Sequence, residues 1–412
     1  MSELAMPVHA PMDLFPVQDD CLLAGGLPVT RVADCIGSTP FYVYDRRIID
    51  ERVRAVRSVL PGGVKLHYAI KANPMPALLA HMAGKVDGLD VASGRELLAA
   101  LSSGASPGEI SFAGPGKSVG ELEQAVAAGI LLNVESLREL HAVAEISKRT
   151  GRAPRVALRV NPEFELKNSG MRMGGGAKQF GIDVAEVPAA LRAVRELRLP
   201  FEGFHIYSGS QNLRAESICE AQWLAVELAI RLAADAPGPL RTVNIGGGFG
   251  IPYFPGEKHL DLNAVGAGLA RCARRLAEAM PQAHLVIELG RYLVGEAGLY
   301  ICRVIDRKVS RGQVFLVTDG GLHHHLAASG NFGQVLRKNY PVVIANRVRG
   351  GPREIASVVG PLCTPLDLLA DRMELAEAHP GDLVAVYQSG AYGLTASPRD
   401  FLSHPHPAEI LL

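Results

Sequence analysis

A short apolar run, His67-Tyr68-Ala69-Ile70, ends in Lys71 and is followed by Ala72-Asn73-Pro74, a proline-marked turn. A lysine at the mouth of a strand is costly to desolvate, so its plain reading is an amine that stays in water. Its chemical reading is an amine kept partly neutral by its surroundings, able to form an imine with an aldehyde. Other apolar runs close in the same way, on Asp90, Arg159, His205, the run Gly246-Gly247-Gly248, and Glu288. One such residue is an accident of strand termination. Six at equivalent positions ask for a common purpose.

Each admits two readings. Gly246-Gly247-Gly248-Phe249-Gly250 follows a strand, so its amides could cradle a phosphate. It is no dinucleotide fingerprint, because Ile251 stands where the third glycine belongs, and no Lys-Ser/Thr follows to make a Walker motif. A tight turn is the plain alternative. Glu288-Leu289-Gly290-Arg291-Tyr292 is either a local ion pair, or a carboxylate for a protonated ring nitrogen beside a guanidinium for an anion. His205, in Gly203-Phe204-His205-Ile206-Tyr207-Ser208, is either a core histidine or a flat ring laid on a planar cofactor, with Ser208 donating to a phosphate. The consecutive His323-His324-His325 point different ways and have no carboxylate spaced to complete a set, so no metal is expected there. Cys363 sits in a turn bounded by prolines, and Tyr392 stands between glycines in Gly390-Ala391-Tyr392-Gly393.

The elements that must position these residues follow a rhythm. Apolar runs at 65–70, 87–91, 110–112, 130–134, 155–160, 201–206, 242–245 and 284–288 alternate with helical stretches such as 94–101, 118–128, 136–148, 185–197 and 215–234. This predicts an α/β fold, a (β/α)8 TIM barrel, whose functional groups gather at the C-terminal ends of its strands. A doubly wound open sheet would want a phosphate fingerprint near its first strand, and none is there. After residue 290 the runs 299–309, 313–317, 341–345, 354–359 and 383–387 are strand-like with few helices between them. Residues 1–40 are rich in Pro, Gly and Asp and show no long periodic helix, while 41–44 is a strand and 48–60 has helical spacing. The expected organisation is an N-terminal segment over 1–44 that joins the β domain, a barrel over 45–290, and a C-terminal β-barrel or sandwich over 291–412.

Composition narrows the classes. At 412 residues with 48% hydrophobic and 20% charged, the chain can bury a large core. Lys+Arg and Asp+Glu both number 42 without long runs of one sign, which argues against a nucleic-acid or polyanion partner. The cysteines Cys21, Cys35, Cys219, Cys272, Cys302 and Cys363 are scattered without metal spacing, as suits a reducing cytoplasm. The first residues, Met1-Ser2-Glu3-Leu4-Ala5-Met6-Pro7 onward, have neither a basic start nor a long apolar run, so no signal peptide or membrane anchor is expected and the localisation read is cytoplasmic.

Taken together, the motifs resemble the fold-type III pyridoxal-phosphate decarboxylases, the group of diaminopimelate, ornithine and arginine decarboxylases. The matching stretches are Tyr68-Ala69-Ile70-Lys71-Ala72-Asn73, Asp90-Val91-Ala92-Ser93-Gly94-Arg95-Glu96, His205 with Ser208, Gly246-Gly247-Gly248, Glu288 with Gly290-Arg291-Tyr292, Gly360-Pro361-Leu362-Cys363, and Gly390-Ala391-Tyr392-Gly393. They occur in the family's order. The resemblance implies an alanine-racemase-like barrel plus a β domain, and pyridoxal 5'-phosphate carried by Lys71 as a Schiff base. It implies that Gly246, Gly247, Gly248, Ser208, Arg291 and Tyr392 hold the phosphate, that Gly290 is among the cofactor-binding residues, that His205 stacks on the ring, and that Glu288 keeps the pyridine nitrogen protonated. Asp90, Glu96 and Arg159 would line the ring. Cys363 would come from the partner subunit of a homodimer with shared sites, and it or Lys71 would return a proton after carbon dioxide leaves. Glu288 argues against a racemase, whose family members place an arginine at that position.

The sequence also departs from the pattern. Leu289 replaces a usual proline, and Thr364 follows the cysteine where diaminopimelate and ornithine enzymes carry an acidic substrate-reading residue. The stretch from Asp319 to Gln334 lacks their usual substrate groups as well. The variant looks more like decarboxylases found beside exosortase genes or in butirosin-type pathways, which implies an amino-acid substrate or an aminoacyl group tethered to a carrier protein. A catalytically silent regulatory homologue and a racemase or epimerase on the same fold are the alternatives.

Overall fold

The computed structural model describes residues 8–167, 170–332, 334 and 337–412. Residues 1–7, 168, 169, 333, 335 and 336 lie outside the described residues. The chain divides into two compact units: the described residues up to Arg52 with Ile251–His259 and Arg291–Leu412, and Val53–Gly250 with Leu260–Gly290.

The second unit is a closed parallel barrel. Its strands are β1 (Lys65–Ala69), β2 (Gly88–Val91), β3 (Ile110–Phe112), β4 (Leu131–Val134), β5 (Arg155–Asn161), β6 (Phe201–Ile206), β7 (Thr242–Asn244) and β8 (His284–Leu289). Each pairs in parallel with the next, and β8 pairs with β1 to close the ring. The strands are short and almost wholly buried, as continuous apolar runs covered on both faces should be. Three of the strand-to-helix turns are set by serine side-chain caps. Ser93, Ser118 and Ser136 each accept the backbone N–H three residues on, from Glu96, Glu121 and Glu139. Ser118 and Glu121 complete a reciprocal capping box. These caps fix where the helices after β2, β3 and β4 begin, and so where those three strand ends are left open at the C-terminal face.

The other unit is mostly β. Gly298–Ser310 is its long central strand, pairing antiparallel with Phe41–Tyr44, Leu383–Val386 and Gln313–Thr318. The sheet extends through Arg353–Val359 to Leu368–Ala376, and Ala408–Leu411 adds in parallel to Phe41–Tyr44. The N-terminal segment therefore contributes a strand to this sheet. Its core is aromatic, with the rings of Tyr42 and Tyr300 centred 4.9 Å apart.

Two features differ from the sequence reading. Leu368–Ala376 is a strand that went unread, because Asp371, Arg372 and Glu374 interrupt its apolar alternation. The one α-helix among the described residues before Phe41, Val29–Ile36, has 8 residues, in keeping with a segment that shows no long periodic helix. Ile251–His259, within the span assigned to the barrel, belongs to the β unit.

Candidate active site

Lys71 leaves β1 in a single 3-10 turn, Ile70–Ala72. It is exposed, and its Nζ lies 5.6 Å from the centre of the Tyr207 ring. Gly290, just past β8, allows this turn to pack closely: a Cβ there would stand 2.9 Å from the Ala72 Cβ.

Glu288, on β8, is buried and accepts twice on one oxygen. His205 Nε2 donates to Oε2 at 2.9 Å and Asn244 Nδ2 at 3.1 Å. Burial alone would push this carboxyl up. His205, Lys71 and Arg159 outweigh burial and hold it well below the usual carboxylate range. Asn244 also accepts the Gly246 N–H at 2.8 Å, so it ties the carboxylate to the glycine turn.

That turn needs its glycines. Gly246 and Gly248 have φ of +67° and +77°, in the left-handed region. A Cβ on Gly246 would meet the Tyr207 ring at 2.6 Å, and one on Gly247 would collide with the Glu288 carbonyl and the Leu289 side chain. With the Gly246 amide committed to Asn244, a phosphate would have to take its amides from further along the turn.

On the other side of the barrel, Asp90 Oδ1 is contacted by His67 Nδ1 at 3.1 Å and by Ser111 Oγ at 2.5 Å. Arg159 pairs with buried Glu135 at 2.9 Å and lies over Phe180. Glu135 also accepts the N–H groups of Gly114 and Gly181. Glu96 accepts the Ala92 N–H, and burial raises its pKa although Lys71 pulls the other way. Ser208 is buried, its Cα beside Gly174.

In the β unit, the half-buried Arg291 guanidinium donates to Tyr253 Oη at 2.7 Å and stacks 4.5 Å from the Tyr392 ring. Burial would lower its pKa, but the neighbouring tyrosines drive it up. Glu288 and Arg291, three residues apart in sequence, make no ion pair among the described residues, so the local-pair reading is set aside. Cys363 is exposed. Its loop is pinned by buried Asp367, whose two oxygens accept the N–H groups of Leu322 (2.6 Å) and Leu362 (2.8 Å). Gly321 and Gly360 leave room for that carboxylate, since a Cβ on either would strike it. His323, His324 and His325 are buried, and His325 Nε2 meets Ser389 Oγ at 2.9 Å. Burial holds His323 down at about 4 and the other two at about 3.

Comparison with known proteins decides the family. Residues 46–295 match the model of the pyridoxal-dependent decarboxylase, pyridoxal binding domain. The chain belongs to the pyridoxal-dependent decarboxylase family. It is 40% identical over 90% of its length to the L-glutamyl-[BtrI acyl-carrier protein] decarboxylase of Niallia circulans, covering 88% of that protein. It is 32% identical to the diaminopimelate decarboxylase of Aquifex aeolicus, over 96% of this chain and 91% of that one. The crystal structure of Helicobacter pylori diaminopimelate decarboxylase complexed with L-lysine superposes with a TM-score of 0.82 at 28% identity, covering 93% and 94% of the two chains. The protein is therefore a lyase, an amino-acid decarboxylase that uses pyridoxal 5'-phosphate.

The donor set of this decarboxylase fits that cofactor. A strand-end amine, a buried carboxylate held charged and a glycine turn stand on one face of the barrel, and two buried polar atoms there, Asp90 Oδ2 and His205 Nδ1, have no partner among the described residues. The sequence reading missed Asn244, Glu135 and Tyr253. Glu135 obeys the same rule as the six residues read, since it directly follows β4. Asn244 ends β7 and could have been found likewise. Tyr253 carries no such signal.

Proposed function

We propose that the decarboxylase removes the α-carboxylate of an amino acid, or of an aminoacyl group tethered to a carrier protein, through a Schiff base on Lys71. The observation that carries this reading is Glu288, a buried carboxylate kept charged by His205, Lys71 and Arg159. Bound pyridoxal phosphate supplies an electron sink for the pair released as carbon dioxide departs. A charged Glu288 would stabilise a protonated pyridine ring and so would favour loss of carboxylate over racemisation. Gly247, Gly248, Ser208, Gly290, Arg291 and Tyr392 would hold the phosphate, and Asp90, Arg159 and His205 would bound the ring. The enzyme would act as a cytoplasmic homodimer, with Cys363 of the partner subunit donating the proton that replaces carbon dioxide on the α-carbon.

The tethered substrate is favoured over a free diamino acid by two observations. Thr364 follows Cys363, so that position offers no carboxylate for a distal ammonium. The Niallia circulans relative is named for an acyl-carrier-protein substrate. The test loads purified protein with pyridoxal phosphate and follows carbon dioxide release from free amino acids and from carrier-protein aminoacyl thioesters. Release from a thioester that exceeds release from the matching free amino acid supports the reading. Silence on every substrate favours the regulatory alternative. Solvent deuterium entering unreacted substrate without carbon dioxide loss would revive the racemase.

A further inference from the structure

A cavity of about 520 Å³ opens at the N-terminal end of the barrel strands, the end opposite Lys71. Its charged lining includes Lys65, Glu109, Arg155, Glu202, Arg241 and His284. Much of that charge is spent internally, Lys65 on Glu109 at 3.1 Å and Arg155 on Glu202 at 2.7 Å. What the cavity reaches is more informative: it is also lined by His67 and Ser111, two buried residues that hold Asp90.

His67 stands in register with Gly88 on β2 and with Glu288 on β8. Asp90 lies two residues further along β2, toward the Lys71 end. Glycine at 88 makes room for the ring, since a Cβ there would lie 2.6 Å from His67 Cε1 and Nε2. The imidazole thus has one carboxylate above it on β2 and another beside it on β8. On Asp90, Oδ1 is committed to His67 Nδ1 and Ser111 Oγ, and Asn133 Nδ2 supports that hydroxyl at 3.2 Å. Oδ2 is buried without a partner among the described residues.

We propose that His67 is a positioning residue for the decarboxylation: it grips Asp90 from the strand-start side of the barrel, so that Oδ2 alone is presented to the cofactor and substrate at the Lys71 end. The cavity gives this histidine a path to solvent on the face away from the chemistry. Burial pushes the imidazole down, but Asp90, with weaker pulls from Glu288 and Glu109, holds His67 above its ordinary value. The inference rests on the reading that places Asp90 and Glu288 against pyridoxal phosphate.

The test uses full-length wild type, His67→Gln, His67→Phe and Asp90→Asn. In cofactor-free protein, imidazole NMR titration is expected to find His67 above the ordinary histidine value in wild type and shifted down in Asp90→Asn. In protein loaded with pyridoxal phosphate, His67→Phe is expected to move the midpoint of the visible spectrum's pH dependence by about one unit and to weaken cofactor binding about tenfold. His67→Gln, which keeps a donor within reach of Asp90, is expected to recover most of both. The inference is overturned if His67 titrates at or below the ordinary value, or if His67→Phe lowers only Tm and leaves spectrum and affinity as in wild type. Should His67→Phe fail to fold, a His67→Gln variant with wild-type spectrum and affinity together with an unshifted Asp90→Asn titration also overturns it. If wild type takes up no cofactor, the functional reading falls, and the titration still judges the His67–Asp90 contact separately.

Discussion

His205 Nε2 donates to Glu288 Oε2 at 2.9 Å, and Asn244 Nδ2 reaches the same oxygen at 3.1 Å, so one carboxylate oxygen gathers donors from two neighbouring strands. The arrangement keeps a charge inside the barrel that burial alone would extinguish. It also links the Glu288 carboxylate to the glycine turn through Asn244. Replacing Glu288 by Gln preserves shape and removes charge. The expected result is a fall in kcat of about 10²–10³-fold with the fold retained, measured as carbon dioxide release and circular dichroism. Wild-type kcat in Glu288→Gln would sink the assignment of Glu288.

The same carboxylate predicts a pH signature in stability. Its folded pKa is depressed, from 4.5 to about 2. A depressed pKa contributes stability that is complete above the unfolded value and lost as pH falls through the folded one. The advantage of wild type over Glu288→Gln in urea unfolding should therefore shrink between pH 4.5 and about 2. A difference independent of pH across that window would contradict it.

Gly247→Ala is expected to damage both fold and site. Its Cβ would collide with the Glu288 carbonyl and Leu289, backbone and core that have little freedom to move. The cost should be about 1–3 kcal/mol, accompanied by weaker cofactor binding. Gly120→Ala is the control: it sits in the exposed first turn of the helix Val119–Ala128 with nothing within 4 Å of its Cβ, and should be neutral or mildly stabilising. Equal melting temperatures for the two variants would show that the turn tolerates a side chain.

Much of this was legible in the sequence because a barrel forces it. Parallel strands buried on both faces read as apolar runs, and the polar residues that close or directly follow those runs, among them Lys71, Asp90, His205 and Glu288, stand out against them. What each residue touches was less legible. Glu288 and Arg291 are neighbours in sequence, yet one answers to His205 and Asn244 and the other to Tyr253 and Tyr392. Nothing in the sequence around Asp367 signals that its carboxylate fills the space of two missing Cβ atoms, at Gly321 and Gly360. Such long-range pairings leave no local period to read.

Arg291→Lys tests the phosphate side. The guanidinium is planar and donates to Tyr253 while its face lies against Tyr392, a geometry an ammonium cannot reproduce. Affinity for pyridoxal phosphate should fall at least about tenfold, read by fluorescence titration of the apoprotein. An unchanged affinity would remove Arg291 from the phosphate site.

Shared active sites predict complementation. If Lys71 of one protomer works with Cys363 of the partner subunit, Lys71→Ala and Cys363→Ala homodimers each lack every complete site. Random exchange between equal amounts makes about half the dimers hybrid, and each hybrid holds one intact site, so about a quarter of wild-type activity should return. If both residues came from one protomer, a hybrid would place both defects apart and still leave no site intact, and mixing would restore nothing. Asp367→Ala in place of Cys363→Ala sharpens the result. It strips the acceptor from the Leu322 and Leu362 amides that shape the Cys363 loop, so it should complement Lys71→Ala in the same way while leaving the thiol in place.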